Sequence, residues 1–216
     1  MKNEKINRKE FLKKAGFGLF SIPLIIQGCS TAGESQTPDH CGFTDSATEG
    51  PFFVSSSRES VNINFTKLPG KPMNVNGIVY GGKNGETPVA NAKIEVWHAD
   101  KDGIYYPTGD GDISDYKASE IALRGHVFTN EKGEYSFYSI EPGLYPGRRR
   151  HIHYKIIAKG HRELTTQSYW MSDRGSIREQ NDWTDRNTEI CRYVDFKQDG
   201  NEGVAGVFDI YLERQG

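Results

Sequence analysis

A period-two alternation of apolar and polar side chains, repeated in short runs separated by turns, restricts this chain more than any other feature. Met73, Val75, Gly77 and Val79 alternate, and Ala92, Ile94 and Val96 alternate against Lys93, Glu95 and Trp97. Successive strand side chains point to opposite faces, so each run buries one face and leaves the other for solvent or for chemistry. Residues 123–129 and 134–140 read as a hairpin around Asn130-Glu131-Lys132-Gly133, residues 83–86 as a further turn, and 151–158 and 205–212 as two more strands. The 24 glycines and nine prolines suit so many turns. The pattern predicts an all-β sandwich of mostly antiparallel strands, with a length of 216 residues sufficient for its core. A net charge of −2, from 27 basic and 29 acidic side chains, gives no basic surface for nucleic acid.

Residues 99–119 and 169–201 are long, polar and rich in Asp, Gly and Asn, and only 173–183 has helical tendency. Loops of that length inside a domain more often carry function than not.

The first residues follow a different logic. Lys2, Lys5, Arg8, Lys9, Lys13 and Lys14 precede an apolar run, 15–26, that is too short to span a bilayer as a mature helix. The run ends in Ile26-Gln27-Gly28-Cys29 and resembles a bacterial lipoprotein signal; Arg8-Lys9 resembles a twin-arginine export signal with one arginine replaced. The expectation is a signal peptide over 1–28, lipid on Cys29, a Ser/Thr/Gly-rich tether over 29–46 and a domain over 47–216. That organisation describes an exported, membrane-anchored lipoprotein. In an oxidising compartment Cys41 and Cys191 would be either a disulfide or two buried thiols.

Residues 141–157, EPGLYPGRRRHIHYKII, concentrate the chemistry. His151 and His153 share one strand face, roughly 6.5–7 Å apart at Cα, close enough to grip one metal ion. Ile152, Tyr154 and Ile156 take the opposite, core-packing face. A strand carrying two solvent-facing histidines has the same pattern.

Several ordered motifs then carry a family resemblance. They are Thr48-Glu49-Gly50-Pro51-Phe52, Val96-Trp97-His98-Ala99-Asp100 with Tyr105 eight residues after the tryptophan, and Leu123-Arg124-Gly125. Pro142-Gly143-Leu144-Tyr145-Pro146-Gly147-Arg148, the His151-x-His153 pair and Thr165-Thr166-Gln167 follow. Together they resemble the intradiol ring-cleavage dioxygenases, most closely the protocatechuate 3,4-dioxygenase branch, over about residues 48–212.

The resemblance implies a non-haem Fe(III) held by Tyr105, Tyr145, His151 and His153. Two phenolates and a hydroxide neutralise a ferric ion, and hard anionic oxygens favour it over the ferrous state. It implies that Tyr145 is the ligand released when a catechol chelates the metal, and that O2 is inserted between the two hydroxylated carbons to give a cis,cis-muconate-type diacid. Arg148 is then expected to stabilise charge on the substrate ring, with Gln167 bonded to Arg148 or to substrate. Arg148 also fits a solvated Arg148-Arg149-Arg150 run, and Arg149 and Arg150 either attract anionic substrates or face water. Trp97 lines the pocket or serves as a core aromatic. Gly50 and Pro51 are expected to close one wall of the substrate site. In the protocatechuate branch two chains share the pocket wall, which allows a homo-oligomer. No helical linker segment of the catechol 1,2-dioxygenase type precedes the strands, pointing to a protocatechuate-like or bulkier plant-derived catechol.

Two other classes fit parts of the chain. Residues 77–145 also suit a non-catalytic transthyretin-like or adhesin-type binding module, which would have no use for Tyr105, Tyr145 and the histidine pair. A facial Fe(II) triad built on His98 and Asp100 would leave both tyrosines unexplained.

Overall fold

The computed structural model describes residues 42–82, 85–185 and 188–216. The signal peptide, Cys29, Cys41, the tether up to residue 41 and part of the 83–86 turn lie outside them. Cys191 is held in a disulfide. Among the described residues no helix is long and apolar enough to cross a membrane.

Thirteen strands follow in order: β1 (Val54–Ser55), β2 (Pro72–Gly81), β3 (Thr87–Pro88), β4 (Lys93–Trp97), β5 (Gly111–Asp112), β6 (Arg124–Phe128), β7 (Glu134–Ile140), β8 (His151–Ile157), β9 (Leu164–Trp170), β10 (Tyr193–Val194), β11 (Lys197–Asp199), β12 (Gly203–Val207) and β13 (Ile210–Tyr211). One sheet has the order β10-β9-β8-β4-β6, antiparallel except at β10. A second, six-stranded sheet is built on the ten-residue β2, with β7 and β3 antiparallel to it, β12 and β13 parallel to it and β11 antiparallel to β12, while β1 and β5 form a separate parallel pair. The longest pairings, β2 with β7 and β8 with β9, are therefore antiparallel, and the parallel pairings are shorter. Among the described residues one α-helix is present, α1 (Ile177–Asn181); it falls within the expected 173–183 stretch, and the Ser176 side chain caps it by accepting from the Glu179 amide.

Inner faces of the two sheets make the core. Val75 and Phe137 from one, and Ile94, Ile152, Tyr154 and Ile156 from the other, are fully buried in a shared cluster. Burying each such side chain contributes about 1.5–3 kcal/mol. The histidine strand is committed by this face: with Ile152, Tyr154 and Ile156 turned inward, His151 and His153 must emerge on the outer face of the five-stranded sheet.

Two expectations need correction. The hairpin expected between 123–129 and 134–140 does not form, because β6 pairs with β4 and β7 pairs with β2. The Asn130–Gly133 turn instead carries the chain from one sheet to the other. Buried Thr129 ties the end of β6 to the approach to β4, its hydroxyl donating to Val89 O at 2.7 Å and accepting from Ala92 N at 2.8 Å. The strand expected over 205–212 is two strands, interrupted where Asp209 Oδ1 accepts from the Ile78 amide at 2.8 Å in place of a ladder bond.

Candidate metal centre

Two rows of side chains cross the outer face of the five-stranded sheet. Arg124, Trp97, His153 and Gln167 stand at directly opposed positions of β6, β4, β8 and β9. His151, Tyr169 and Tyr193 form the next row, across β8, β9 and β10. Register alone brings these residues together, since they are widely separated along the chain.

Two loops deliver the tyrosines to this face. After β4, Asp100 organises a tight turn: its Oδ1 accepts from the amides of Asp102 and Ile104, both at 2.9 Å, and its Oδ2 from the Tyr106 hydroxyl at 3.0 Å. Its carbonyl also accepts from the Gly143 amide at 2.7 Å, which docks the second tyrosine loop against the first. That docking requires glycine on both sides. A Cβ on Gly103 would lie 2.3 Å from Leu144 O, and one on Gly143 would lie 2.1 Å from Lys101 O. Tyr105 and Tyr145 end edge-to-face with ring centroids 5.8 Å apart.

The Tyr105 Oη lies 3.0 Å from His151 Nε2 and 3.2 Å from His153 Nε2. His151 Nδ1 lies 2.7 Å from the Arg149 carbonyl, which only accepts, so the ring proton is on Nδ1 and Nε2 presents its lone pair. His153 Nδ1 is buried with no hydrogen-bond partner among the described residues. Its ring is instead held flat against Trp97, centroids 4.8 Å apart. Burial, then the charge of Arg148, pushes the His151 pKa down to about 3, and burial with His151 beside it holds His153 well below its usual value. Both imidazoles are therefore neutral lone-pair donors near neutral pH. Burial pushes the Tyr105 phenol up, so its phenolate form needs a cation close by. A phenol oxygen and two neutral imidazoles converging on one point, with a second tyrosine beside them, suit a hard, highly charged metal ion. Among the described residues no cluster of three or more His, Cys, Asp or Glu is placed for a metal, so tyrosine oxygen must complete any such site.

Residues 48–53 roof this cluster. Phe52 stacks on Tyr105 at 4.4 Å, and Phe53 leans on Trp97 at 4.9 Å. Gly50 lies against His153, whose Cε1 would be 3.5 Å from a Cβ at that position. Pro51, expected to close one wall of a substrate site, is exposed, and its neighbours Phe52 and Phe53 are the residues that pack on Tyr105 and Trp97. Arg124, nearly fully buried, ties the roof down by donating from Nη1 to Phe52 O at 2.9 Å and from Nε to Tyr106 O at 2.7 Å. Trp97 is likewise buried and backs His153 rather than presenting a face to a ligand.

A family model described as Dioxygenase (Dioxygenase_C) matches residues 48–214, a span that contains every residue named in this site. The chain belongs to the intradiol ring-cleavage dioxygenase family. It is 30% identical over 151 residues to a catechol 1,2-dioxygenase of Acinetobacter baylyi, covering 57% of this chain and 45% of that protein. It is 31% identical over 154 residues to a hydroxyquinol 1,2-dioxygenase of Nocardioides simplex, covering 62% and 50%. The chain thus spans about half the length of the curated relatives it matches. Among solved structures it is similar to the dioxygenase domain of a dioxygenase carbohydrate-binding protein fusion from Streptomyces sp. SirexAA-E, at 32% identity and a TM-score of 0.64, over 80% of this chain and 99% of that one. It is also similar to a catechol 1,2-dioxygenase of Acinetobacter sp. ADP1, at 26% identity and a TM-score of 0.64, over 81% and 64%.

In this intradiol-family chain the three consecutive arginines do not form a solvated run. Arg148 donates from Nε to Asp182 Oδ1 at 2.6 Å and from Nη2 to Gln167 Oε1 at 2.7 Å, while Gln167 Nε2 holds Thr48 O at 2.8 Å. Arg149, expected to meet substrate or water, has no exposure: it pairs with Glu179 at 2.7 Å and its guanidinium lies 3.8 Å from the Tyr169 ring centre. Arg150 is half-buried between Glu141 and Asp173. The sequence hides these partners because the carboxylates lie 9 to 34 residues away. A facial triad on His98 and Asp100 is excluded by their contacts. His98 Nδ1 lies 2.7 Å from the Ala99 carbonyl and Nε2 2.7 Å from the Ser139 hydroxyl, and the Asp100 carboxylate is taken up by its own turn. Two surface clefts, of about 500 and 620 Å³, include none of the tyrosine–histidine set, so cleft size does not locate the chemistry.

Proposed function

We propose that this chain cleaves a catechol-type aromatic between its two hydroxylated carbons with O2, at a non-haem Fe(III) held by Tyr105, Tyr145, His151 and His153. The observation that carries the proposal is the convergence of Tyr105 Oη on both imidazole Nε2 atoms, at 3.0 and 3.2 Å, on a face roofed by residues 48–53. When bound, the ferric ion would draw the catechol in as a dianion and make its ring reactive toward O2. His151 and His153 enter as neutral donors, the first with its lone pair aimed by the Arg149 carbonyl. Tyr105 is buried and stacked under Phe52, which suits a ligand that stays. Tyr145 is half-buried, on a turn, and in contact with Phe52 only edge-on, which suits a ligand that leaves and accepts a catechol proton at Oη. Arg148 has two of its nitrogens committed to protein, and among the described residues Nη1 has no protein partner and remains for charge on the ring.

The substrate class proposed is a protocatechuate-like or bulkier catechol, met outside the cytoplasm by a chain anchored through lipid on Cys29; metabolic labelling with a radioactive fatty acid, absent in Cys29→Ala, tests the anchor. The test of the chemistry is iron content and the visible spectrum of residues 30–216, before and after catechol or protocatechuate is added. A broad tyrosinate-to-Fe(III) band that shifts with substrate, followed by a muconate-type product, is the expected result. A colourless chain that takes up no ferric ion would leave the family fold with a non-catalytic binding role.

A further inference from the structure

Beside the arginine run lies a carboxylate with no solvent exposure. Asp182, immediately after α1, accepts at Oδ1 from Arg148 Nε at 2.6 Å and from the Thr184 hydroxyl at 2.7 Å. Arg149 Nε approaches the other oxygen, Oδ2, at 3.4 Å, but neither atom forms a hydrogen bond there. Arg149 takes its bonds elsewhere, from Glu179, the Tyr193 and Thr188 hydroxyls and the Asp185 carbonyl. Each arginine of the run thus has its own acceptors, and the arginine hydrogen bond that Asp182 accepts comes from Arg148.

We propose that Asp182 is a positioning residue for ring cleavage, holding the Arg148 guanidinium in register with the Tyr105–His151–His153 set; this rests on the ring-cleavage function proposed above. An arginine side chain has four rotatable bonds, and no single contact fixes its planar head. Here Nε is held by Asp182 and Nη2 by Gln167, which is itself anchored on Thr48 O. Two contacts on different nitrogens define the guanidinium plane and leave Nη1 as its free edge. The Asp182 end of this clamp is the stronger, since there both partners are charged and the carboxylate is fully buried. Electrostatic groups act in catalysis only when aligned before the reaction, and a displacement of about 1 Å can cost about a hundredfold.

The test is a double-mutant cycle in the iron-loaded full chain, using Asp182→Asn, which keeps the shape, and Arg148→Gln. Asp182→Asn should retain iron and change KM by less than about threefold while kcat falls about 10- to 100-fold. In the Arg148→Gln background the same change should lower kcat no further, because Asp182 acts only through Arg148. Asp173→Asn, which strips a carboxylate from Arg150, serves as a control and should leave kcat within about twofold. A readout independent of turnover is hydrogen exchange at Arg148 Nε–H, followed by NMR in the iron-free full chain. It should accelerate at least about tenfold in Asp182→Asn, with Arg150 Nε–H unchanged. If Asp182→Asn does not fold, Asp182→Glu, which keeps the charge but displaces the oxygens, should show the same loss of kcat at similar KM. Unchanged kcat, independent losses in the double variant, or unchanged exchange would each overturn the assignment. If the wild-type chain cleaves no catechol, the functional proposal fails, and exchange alone then decides whether Asp182 fixes Arg148.

Discussion

Trp97 lies on His153 with ring planes 11° from parallel, and the two residues are directly opposed on β4 and β8. The stack fixes the plane of an imidazole whose Nδ1 has no hydrogen-bond partner among the described residues, so packing does for His153 what the Arg149 carbonyl does for His151. The indole is fully enclosed, with Phe53 also in contact with it at 4.9 Å between ring centroids.

Replacing Trp97 by Ala should therefore lower stability by about 3–5 kcal/mol, measured by urea unfolding, and weaken iron retention during dialysis against a chelator. Trp97→Phe should cost less, since the buried indole N–H has no hydrogen-bond partner among the described residues to lose. Undiminished iron retention in Trp97→Ala would show that the stack does not orient His153.

The ligand set proposed above predicts an asymmetry between its members. His153→Ala should lose iron. Tyr145→Phe should keep it, through Tyr105 and the two histidines, while turnover falls. Metal analysis of the purified variants beside their rates of catechol consumption distinguishes the two, and full iron and activity in either variant would contradict the assignment.

Arg124 holds the roof through the Phe52 and Tyr106 carbonyls, and burial lowers its pKa to about 10, still well above neutrality. Arg124→Leu should remove the Phe52 carbonyl's donor, at a cost of about 1–3 kcal/mol where it stays buried, and leave Tyr106 O with the Ala122 amide at 3.4 Å. It should also free residues 48–53 for limited proteolysis at a rate well above wild type. Equal cleavage rates would mean that stacking of Phe52 and Phe53 alone secures the arm.

Acid should destabilise the metal-free protein. His98 is held down to about 4 and His151 to about 3, each chiefly by burial, and His153 is held well below its usual value. In the unfolded chain all three titrate near 6.5, so below that pH the unfolded state binds more protons. Their contribution is complete above about pH 6.5 and is lost as pH falls toward the folded values. Three such groups give a limiting slope of about 4 kcal/mol per pH unit near pH 5. Urea midpoints measured from pH 7 to pH 5 should fall steeply, and a flat profile would be incompatible with buried neutral imidazoles.

Much of the outcome follows from local sequence. Alternation in 73–79, 92–96 and 151–157 determines strands with one apolar face, and with Ile152, Tyr154 and Ile156 inward, His151 and His153 have to share the outer face. The ordered motifs from Thr48 to Gln167 mark the family by residue type and spacing, which need no coordinates. What tertiary structure decided is pairing and partners. Residues 123–129 and 134–140 have the pattern of a hairpin, yet the same alternation suits two strands in different sheets, and only competition among all strands for partners assigns β6 to β4 and β7 to β2. Register sets His153 between Trp97 and Gln167, residues far apart in the chain. The arginine run shows the limit most clearly. Three adjacent cations look solvated from sequence, because the carboxylates that neutralise them, Asp182, Glu179 and Asp173, come from the segment around α1, whose path depends on the folded sheet beside it. Side-chain periodicity is a property of the local backbone, whereas charge compensation is a property of through-space distance, which the chain defines only once it has folded.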